Sequence, residues 1–205
     1  MEEANTPKSL KYSSIAISGP PGAGRSTLLK NLTPIVKSLG WETFSGGDWS
    51  RQFSIETGNH DPNDKTHHFA ADVTEAIDHQ IDLKLREKLS NPEEHVAVES
   101  WIAGWNMRGI PHVLKVLLMC DDALRIDRVV NRDGLTVDEA KQHLREREDS
   151  NLAKWSTMYA VTKNDFWDPK YYDLIINTYS TGPKETLDLV LQALGYFAVN
   201  GQNVV

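Results

Sequence analysis

The stretch Gly19–Thr27, with the sequence G-P-P-G-A-G-R-S-T, decides the fold of this chain. The apolar segment Tyr12–Ser18 precedes it and is typical of a buried strand, and Leu28–Leu32 follows it and begins a predicted helix. A strand, a glycine-rich turn and a helix are the context that a phosphate-binding loop requires. Successive backbone N–H groups then point into one concavity at the start of the helix, where the helix dipole favours negative charge. The stretch therefore predicts a site for nucleotide phosphates.

Position 25 departs from the usual pattern of such loops, G-x-x-x-x-G-K-[ST], because Arg25 stands where the pattern has lysine. Arginine keeps the positive charge, but its planar fork is bulkier than an ammonium group and places the charge differently. The backbone N–H groups do not depend on that side chain, so we expect phosphate binding to persist. A hydroxyl group of Ser26 or Thr27 is expected to reach Mg²⁺. The loop residues expected to bind the nucleotide are Gly19, Pro20, Pro21, Gly22, Ala23, Gly24, Arg25, Ser26 and Thr27.

Length, charge and cysteine content limit the class of protein. The 205 residues suit a single α/β domain, and the net charge of −7 argues against non-specific nucleic-acid binding. Cys120 is the one cysteine, which excludes an internal disulfide and fits a reducing compartment. No apolar run approaches the ~20 residues of a membrane span, and residues 1–11 lack a signal-peptide pattern. We expect a cytoplasmic protein with neither a membrane nor a nucleic acid as partner.

Apolar periodicity predicts strands that alternate with helices along the chain. The predicted strands are Tyr12–Ser18, Trp41–Phe44, His95–Glu99, Val113–Met119 and Tyr172–Asn177. The predicted helices are Ser26–Leu39 with a kink at Pro34, one that begins at Asp48 as its N-cap, Phe69–Leu89, Ala123–Arg132, one from a capping box at Thr136 toward Tyr159, and Lys184–Leu194. This alternation indicates an α/β fold with a mostly parallel sheet flanked by helices. Ligands then bind beyond the carboxyl ends of the strands, where the phosphate loop, residues 45–51 and residues 99–105 should meet.

Four segments, in this order and spacing, carry a family resemblance over roughly residues 12–194. They are the phosphate loop, Ser45–Arg51 (S-G-G-D-W-S-R), Val98–Trp105 (V-E-S-W-I-A-G-W), and a basic region followed by Tyr172–Thr178 (Y-D-L-I-I-N-T). The second is similar to a family pattern S-A-G-D-x-x-R and the third to E-G-R-L-A-G-W. Together the four resemble the nucleoside monophosphate kinases, in particular cytidylate kinases of the archaeal type.

This resemblance implies a P-loop NTPase fold in one domain, with a helical insertion that binds the monophosphate and a short lid. The implied core covers about residues 12–45, 96–131 and 150–194, the monophosphate-binding region about 46–95, and the lid about 132–148. The implied reaction transfers a phosphoryl group from Mg²⁺-bound ATP to CMP or dCMP, and the implied assembly is a monomer.

The resemblance also assigns roles to individual residues. Arg51 matches the position that holds the phosphate of the monophosphate, and Asp82 would read its base. The residues implied to bind the monophosphate are Ser45, Asp48, Arg51, Asp82 and Trp101. The cations implied to act in catalysis are Arg25, Arg128, Arg132, Arg145 and Arg147. Mg²⁺ would be held by Ser26 and, through water, by Glu99.

Trp101 is a second departure, because the family stretch has arginine at this position. Tryptophan cannot pair with phosphate, but it could stack on a base or a ribose. Two altered cation positions leave two other functions open: a kinase for a different acceptor, and a nucleotide-binding protein that has lost phosphotransfer.

Several candidate residues also have purely structural interpretations. Arg145 and Arg147 lie among glutamates and could form a salt-bridged helix face. Asp48 could be only a helix cap, and Arg125 is expected to be solvated. The pair His67 and His68, with His60 and Asp64, fits no standard zinc spacing and is expected in an exposed loop. The tryptophans expected to touch a ligand are Trp49, Trp101 and Trp105.

Overall fold

The computed structural model describes residues 10–61, 63–64 and 66–196. Most of the predicted N-terminal tail, and Pro62 in the predicted loop after residue 54, lie outside these ranges.

The sheet has five parallel strands, as the alternating pattern predicts. In chain order they are β1 (Ser14–Ser18), β2 (Glu42–Ser45), β3 (Val96–Glu99), β4 (Val113–Met119) and β5 (Leu174–Asn177). Their order in the sheet is β2-β3-β1-β4-β5, so β1 lies at the centre between β3 and β4. Ile17 of β1 is in register with Glu99 of β3 and Val116 of β4, which places the phosphate loop next to the end of β3.

Seven α-helices connect and cover the strands of the described chain. They are α1 (Arg25–Ser38), α2 (Gly46–Glu56), α3 (Glu75–Ser90), α4 (Ala103–Asn106), α5 (Asp122–Asp133), α6 (Val137–Tyr159) and α7 (Pro183–Leu194). Short 3₁₀ turns cover Phe69–Asp72, Asp165–Trp167 and Pro169–Tyr171. Pro34 does not interrupt α1. Leu39 is the C-cap of this helix, and Gly40, with φ of 82°, follows it.

Local hydrogen bonds correct two predicted helix starts. Ser45, not Asp48, is the N-cap of α2, because the Ser45 hydroxyl accepts the backbone N–H of Asp48 at 3.2 Å. The predicted helix Phe69–Leu89 is divided, because Thr74 caps α3 and the preceding residues form a 3₁₀ turn. The capping box that begins α6 is confirmed, since Thr136 and Glu139 bond each other reciprocally.

The core lies on both faces of the sheet. Ile15 and Ile17 pack with α1 and α7 on one face, and Ala16 and Val98 pack with α3 and α4 on the other. A third, aromatic cluster joins α6 to the chain after β3 and includes Trp101, Trp105, Trp155 and Phe166. This cluster holds α6 beside the carboxyl edge of the sheet. Within the described ranges, no helix is both long enough and apolar enough to span a membrane.

Candidate active site

A cavity of about 1010 Å³ opens at the carboxyl edge of the sheet. Its walls come from the phosphate loop, the ends of β2 and β3, and residues of α2, α3, α5 and α6. A volume at the upper end of the range for small-molecule sites leaves room for more than one phosphate-bearing ligand. Most of the predicted site residues line it, as expected for a doubly covered parallel sheet.

The phosphate loop has the backbone geometry of an anion site. Gly22 and Gly24 have φ values of 77° and 99°, a conformation that favours glycine, and a Cβ at Gly22 would lie 3.0 Å from the Arg125 carbonyl oxygen. Gly24 is the N-cap of α1 and offers no side-chain cap, so the first N–H groups of this helix are left for a ligand. Ala23 is fully buried, and the described cavity lining omits it and Gly19.

Glu99 links the phosphate loop to the end of β2. Its carboxylate is 1% exposed and accepts hydrogen bonds from Ser45 Oγ at 2.7 Å and Ser26 Oγ at 3.4 Å. Arg25 Nη1 donates to the other carboxylate oxygen at 3.0 Å. Burial lowers the pKa of Arg25 and the charge of Glu99 opposes this, so the guanidinium stays charged. Arg25 therefore lies against Glu99 at the floor of the cavity.

The oxygen atoms around Glu99 suit Mg²⁺ chemically. Mg²⁺ prefers a carboxylate or two, waters and substrate phosphates over a complete protein cage. Glu99, Ser26 and Ser45 supply one carboxylate and two hydroxyls. Within residues 10–61, 63–64 and 66–196, no group of three or more His, Cys, Asp or Glu side chains is placed to hold a metal ion. An ion at this position would depend on water and on the phosphates of its ligand.

Trp101 lies between two arginines. The guanidinium carbons of Arg25 and Arg147 are each 5.8 Å from the Trp101 ring centroid, and Trp155 packs edge-on at 5.4 Å. Burial, followed by the nearby positive charges of Arg25 and Arg132, lowers the pKa of Arg147 to about 10. Arg147 Nε is buried without a hydrogen-bond partner among the described residues. An anion in the cavity would relieve this concentration of positive charge.

The arginines of α5 differ in their surroundings. Arg128 donates to the carbonyl oxygens of Gly22 at 2.9 Å and Thr178 at 2.8 Å, so it ties the phosphate loop to the segment after β5. Arg132 is largely exposed and pairs with Asp133 at 2.6 Å, a contact that raises the Arg132 pKa. Both arginines line the cavity.

Arg125 is not solvated, and the prediction that it would be is wrong. Its side chain is buried, donates to the Pro21 carbonyl oxygen at 2.7 Å and pairs with Asp122 at 2.8 Å and with Glu148 of α6. The position of Arg125 in the chain could have indicated its burial, because Arg125 follows soon after β4, at the edge of the sheet where the phosphate loop also lies.

Arg51 and two carboxylates of α3, Asp78 and Asp82, also line the cavity. Arg51 is exposed and its guanidinium carbon lies 4.7 Å above the Phe69 ring centroid. Burial raises the pKa of Asp82 to about 6, against the opposing effect of the hydrogen bond that it accepts from Tyr159. Asp78, one turn earlier on α3, pairs with Lys154 at 2.6 Å. Sequence reasoning missed Asp78, although its i,i+4 spacing from Asp82 puts both on one helix face.

The predicted exposed loop is exposed only in part: Asp64 is exposed, whereas His60 is half-buried, and both line the cavity together with His67. His67 and His68 are half-buried, and His68 Nε2 is 3.0 Å from Nδ1 of His143 on α6. Burial, followed by the charge of Arg147, lowers the pKa of His143 to about 4. Ser54 Oγ and Asp72 both contact the same nitrogen, Nε2, of His67, so these three do not form a nucleophile–base–acid relay.

Two expected site residues are placed elsewhere. Arg145 is exposed on α6 and is not among the described residues that line the cavity. Trp105 is 1% exposed and packs against Arg108 and Phe166, so the expectation that it touches a ligand is wrong. Trp155, which the sequence did not single out, lines the cavity in addition to Trp49 and Trp101.

Comparisons with known proteins agree with this arrangement. Residues 45–180 match the profile of the Cytidylate kinase-like family. A cytidylate kinase of Haloarcula marismortui is 34% identical over 187 residues, which cover 91% of this chain and 92% of that protein.

Solved kinase structures share the fold at low sequence identity. The shikimate kinase from Acinetobacter baumannii is similar with a TM-score of 0.52 and 18% identity over 88% of this chain and 92% of the other. A gluconokinase from Sinorhizobium meliloti 1021 is similar with a TM-score of 0.53 and 14% identity over 90% and 93% of the two chains. These likenesses support the P-loop kinase fold. With the phosphate loop and the family match, they lead to one conclusion: the chain belongs to the cytidylate kinase-like family.

Proposed function

We propose that this protein transfers the γ-phosphoryl group of ATP to CMP or dCMP, giving ADP and CDP or dCDP. Family membership gives the general class, a nucleoside monophosphate kinase. The observation that carries the finer proposal is one cavity whose lining brings together the phosphate loop with Arg25, the cations Arg51 and Arg147, and the carboxylate of Asp82.

The phosphate loop would bind the ATP phosphates. Backbone N–H groups at the start of α1 face the cavity, and the helix dipole adds to their attraction for anions. Arg128 holds the loop in shape through the Gly22 carbonyl oxygen, and Arg132 at the rim can reach an entering triphosphate. Mg²⁺ would be held by Ser26 and, through water, by Glu99, and would neutralise charge on the phosphates.

The acceptor would bind at the Arg51 end. Arg51 can pair with a phosphate in a bidentate manner, because its guanidinium is exposed, lines the cavity and lies over the face of Phe69. Ser45, Asp48 and Trp101 also line the cavity. Asp82, in the cavity lining, is the polar group that would read the base, and Tyr159 donates a hydrogen bond to it.

Transfer between the two anions needs no side-chain nucleophile, because the acceptor phosphate itself attacks. The chain must instead align the two phosphates, neutralise the transferring group and exclude water. Arg25 and Arg147 would supply positive charge on either side of the Trp101 contact, and α6 contributes part of the cavity wall. We propose residues 46–95 as the monophosphate-binding region and 132–148 as the lid. Arg145, outside the cavity, has no role in this scheme.

A nucleotide-binding protein without phosphotransfer is the second candidate. One observation favours it: Arg25 is already engaged by Glu99, so its charge is partly neutralised before any ligand binds. A binding protein would keep ATP affinity but gain no ADP release from an acceptor.

Initial rates with a series of acceptors test the proposal. A coupled assay measures ADP release with Mg·ATP and, in turn, CMP, dCMP, UMP, AMP and GMP. We expect CMP or dCMP to stimulate ADP release at least about tenfold over the rate without acceptor. Stimulation by another monophosphate alone would reassign the acceptor, and ATP binding without stimulation would favour the second candidate.

A further inference from the structure

The Trp101 side chain joins two parts of the site that are far apart in the chain. Its backbone carbonyl oxygen accepts the N–H of Gly19 at 3.1 Å, which fixes Trp101 to the start of the phosphate loop. Its ring, 8% exposed, contacts the guanidinium of Arg147 and the ring of Trp155, both on α6. Trp101 therefore connects the phosphate loop directly to the residues of α6 that line the cavity.

The two arginines beside Trp101 depend on it to different degrees. Arg25 has a buried carboxylate partner, Glu99, at 3.0 Å. Arg147 has no ion pair among the described residues, and its Nε has no hydrogen-bond partner there. The nearby positive charges of Arg25, Arg132 and Arg51 repel Arg147, and the negative charge of Asp133, which itself pairs with Arg132, attracts it. The Trp101 ring is the aromatic contact that the described chain offers to the Arg147 guanidinium.

We propose that Trp101 is a positioning residue that holds Arg147 over the middle of the cavity by a cation–π contact, so that Arg147 meets the transferring phosphoryl group. The inference rests on the proposed kinase function. It gives Trp101 a role through Arg147 in place of direct stacking on a base or ribose. The positive charge that the family pattern has at position 101 is then supplied by Arg147 of α6, which the Trp101 ring holds in place.

Physical chemistry supports this assignment. A guanidinium within about 6 Å of a tryptophan centroid is attracted by the ring quadrupole, more strongly when both groups are withdrawn from water. Arg147 and Trp101 meet the distance condition at 5.8 Å, and both are largely buried. The contact leaves the N–H groups of Arg147 available to phosphate, whereas a carboxylate partner would occupy them. A fixed, unpaired cation is what a developing negative charge needs.

A double-mutant cycle between Trp101 and Arg147 tests the proposal through kcat and KM. Trp101→Leu should lower kcat on the order of tenfold, with both KM values within about threefold, because it disorders a charge that acts on the transition state. Arg147→Ala should lower kcat on the order of a hundredfold. In the Arg147→Ala background, Trp101→Leu should add less than about threefold, because its effect passes through Arg147. Equal losses in both backgrounds, no loss, or a loss confined to the acceptor KM would overturn the proposal.

Conservative and control variants separate positioning from folding. Trp101→Phe keeps an aromatic face and should retain kcat within about threefold of the native protein. If Trp101→Leu does not fold, the cycle is repeated with Trp101→Met, which also lacks an aromatic face, and the same loss of about tenfold, confined to the background that retains Arg147, is expected. The matched control is Trp41→Leu: Trp41 is also buried, stacks on His95, and lies outside the described cavity lining. Its kcat per folded molecule should stay within about twofold, since it removes packing alone. An equal fall in kcat for Trp41→Leu would contradict a specific role for Trp101.

A readout that does not depend on turnover separates this inference from the proposed function. If the native protein turns over no monophosphate, the proposed function fails, and calorimetry compares the affinity of the same four proteins for ADP with aluminium fluoride, which mimics the transferring phosphoryl group. The positioning of Arg147 holds if Trp101→Leu weakens the binding of this mimic only while Arg147 is present. It is overturned if the two substitutions weaken binding independently or if Trp101→Leu has no effect.

Discussion

At the scale of single residues, Glu99 organises the phosphate end of the cavity. The sequence singled it out because a carboxylate that ends a buried strand needs a partner. It did not indicate which partner, because the pairing with Arg25 depends on β1 and β3 lying side by side. Arg25, which stands where the usual loop pattern has lysine, and the buried Glu99 therefore form one ion pair and are best considered together.

Removing the charge of Glu99 should destabilise the fold. Glu99→Gln leaves the Arg25 guanidinium buried without a counter-ion, so we expect the free energy of unfolding to fall by about 3 kcal/mol. Urea denaturation at neutral pH measures it. Glu94→Gln is the matched control, because Glu94 makes only a partly exposed pair with Lys88 at 3.7 Å and should cost under about 0.5 kcal/mol. Equal losses in the two variants would contradict the role of the buried pair.

Arg51 gives a second prediction at this scale. Arg51→Ala should raise the KM of the acceptor and lower kcat/KM for the acceptor on the order of a hundredfold, because a bidentate contact to its phosphate is lost. The KM of ATP should change less than about threefold. Lys84→Ala, which removes an exposed charge from α3, serves as the control. An unchanged kcat/KM for the acceptor would remove Arg51 from the site.

At the scale of elements, α6 contacts both ends of the site. Its start was predictable from the capping box at Thr136, because that signal is local. Its contacts were not: Lys154 donates to the carbonyl oxygens of Ala70 and Val73, and His143 meets His68, across more than seventy residues of sequence. Residues 69–74, which include the Lys154 partners Ala70 and Val73, were wrongly predicted to be part of α3. The apolar stripe does not show that the helix begins only after its N-cap, Thr74.

The contact between His68 and His143 predicts a pH dependence of stability. His143 has a pKa of about 4 in the folded protein, below its ordinary 6.5, because of burial and the charges of Arg147 and His68. The unfolded chain therefore binds more protons than the folded one between these values, so stability falls as the pH falls from about 6.5 to about 4. His143→Gln should reduce that loss.

Urea denaturation between pH 7 and pH 5 measures this effect as the difference between His143→Gln and the native protein. Asp82, whose pKa is raised to about 6, acts in the opposite direction, but it is common to both proteins. Ser150→Ala, at an exposed position of α6, removes no titratable group, serves as the control and should keep the native slope. An unchanged slope in His143→Gln would show that His143 is not a buried neutral histidine.

At the scale of the whole molecule, the sequence predicted the architecture well. Five strands in a parallel sheet follow from the apolar runs, and the cavity lies at the carboxyl edge of the sheet where the sequence predicts the site. The strand order itself, and the aromatic cluster of Trp101, Trp155 and Phe166, could not be predicted, because no local pattern encodes them. Cytoplasmic location and the monomeric state stay predictions.

The candidate site also contains some residues that the sequence predicted correctly and others that it did not. The backbone loop, Glu99 and Arg51 were found from local motifs, and each lies in the cavity wall. Arg125 and Trp105 were wrongly placed because their burial depends on neighbours from distant segments, Pro21 for the former and Phe166 for the latter. Motifs therefore located the edge of the sheet where the cavity lies, while packing decided which side chains reach the cavity.

Phosphorus NMR of a single reaction tests the central claim most directly. The native protein is mixed with Mg·ATP and CMP, and the phosphorus signals are followed with time. We expect the β-phosphate signal of CDP to grow in equal amount with ADP, with little inorganic phosphate, because the acceptor phosphate and not water attacks the γ-phosphorus of ATP. Growth of inorganic phosphate without CDP, or no change while ATP remains bound, would contradict it.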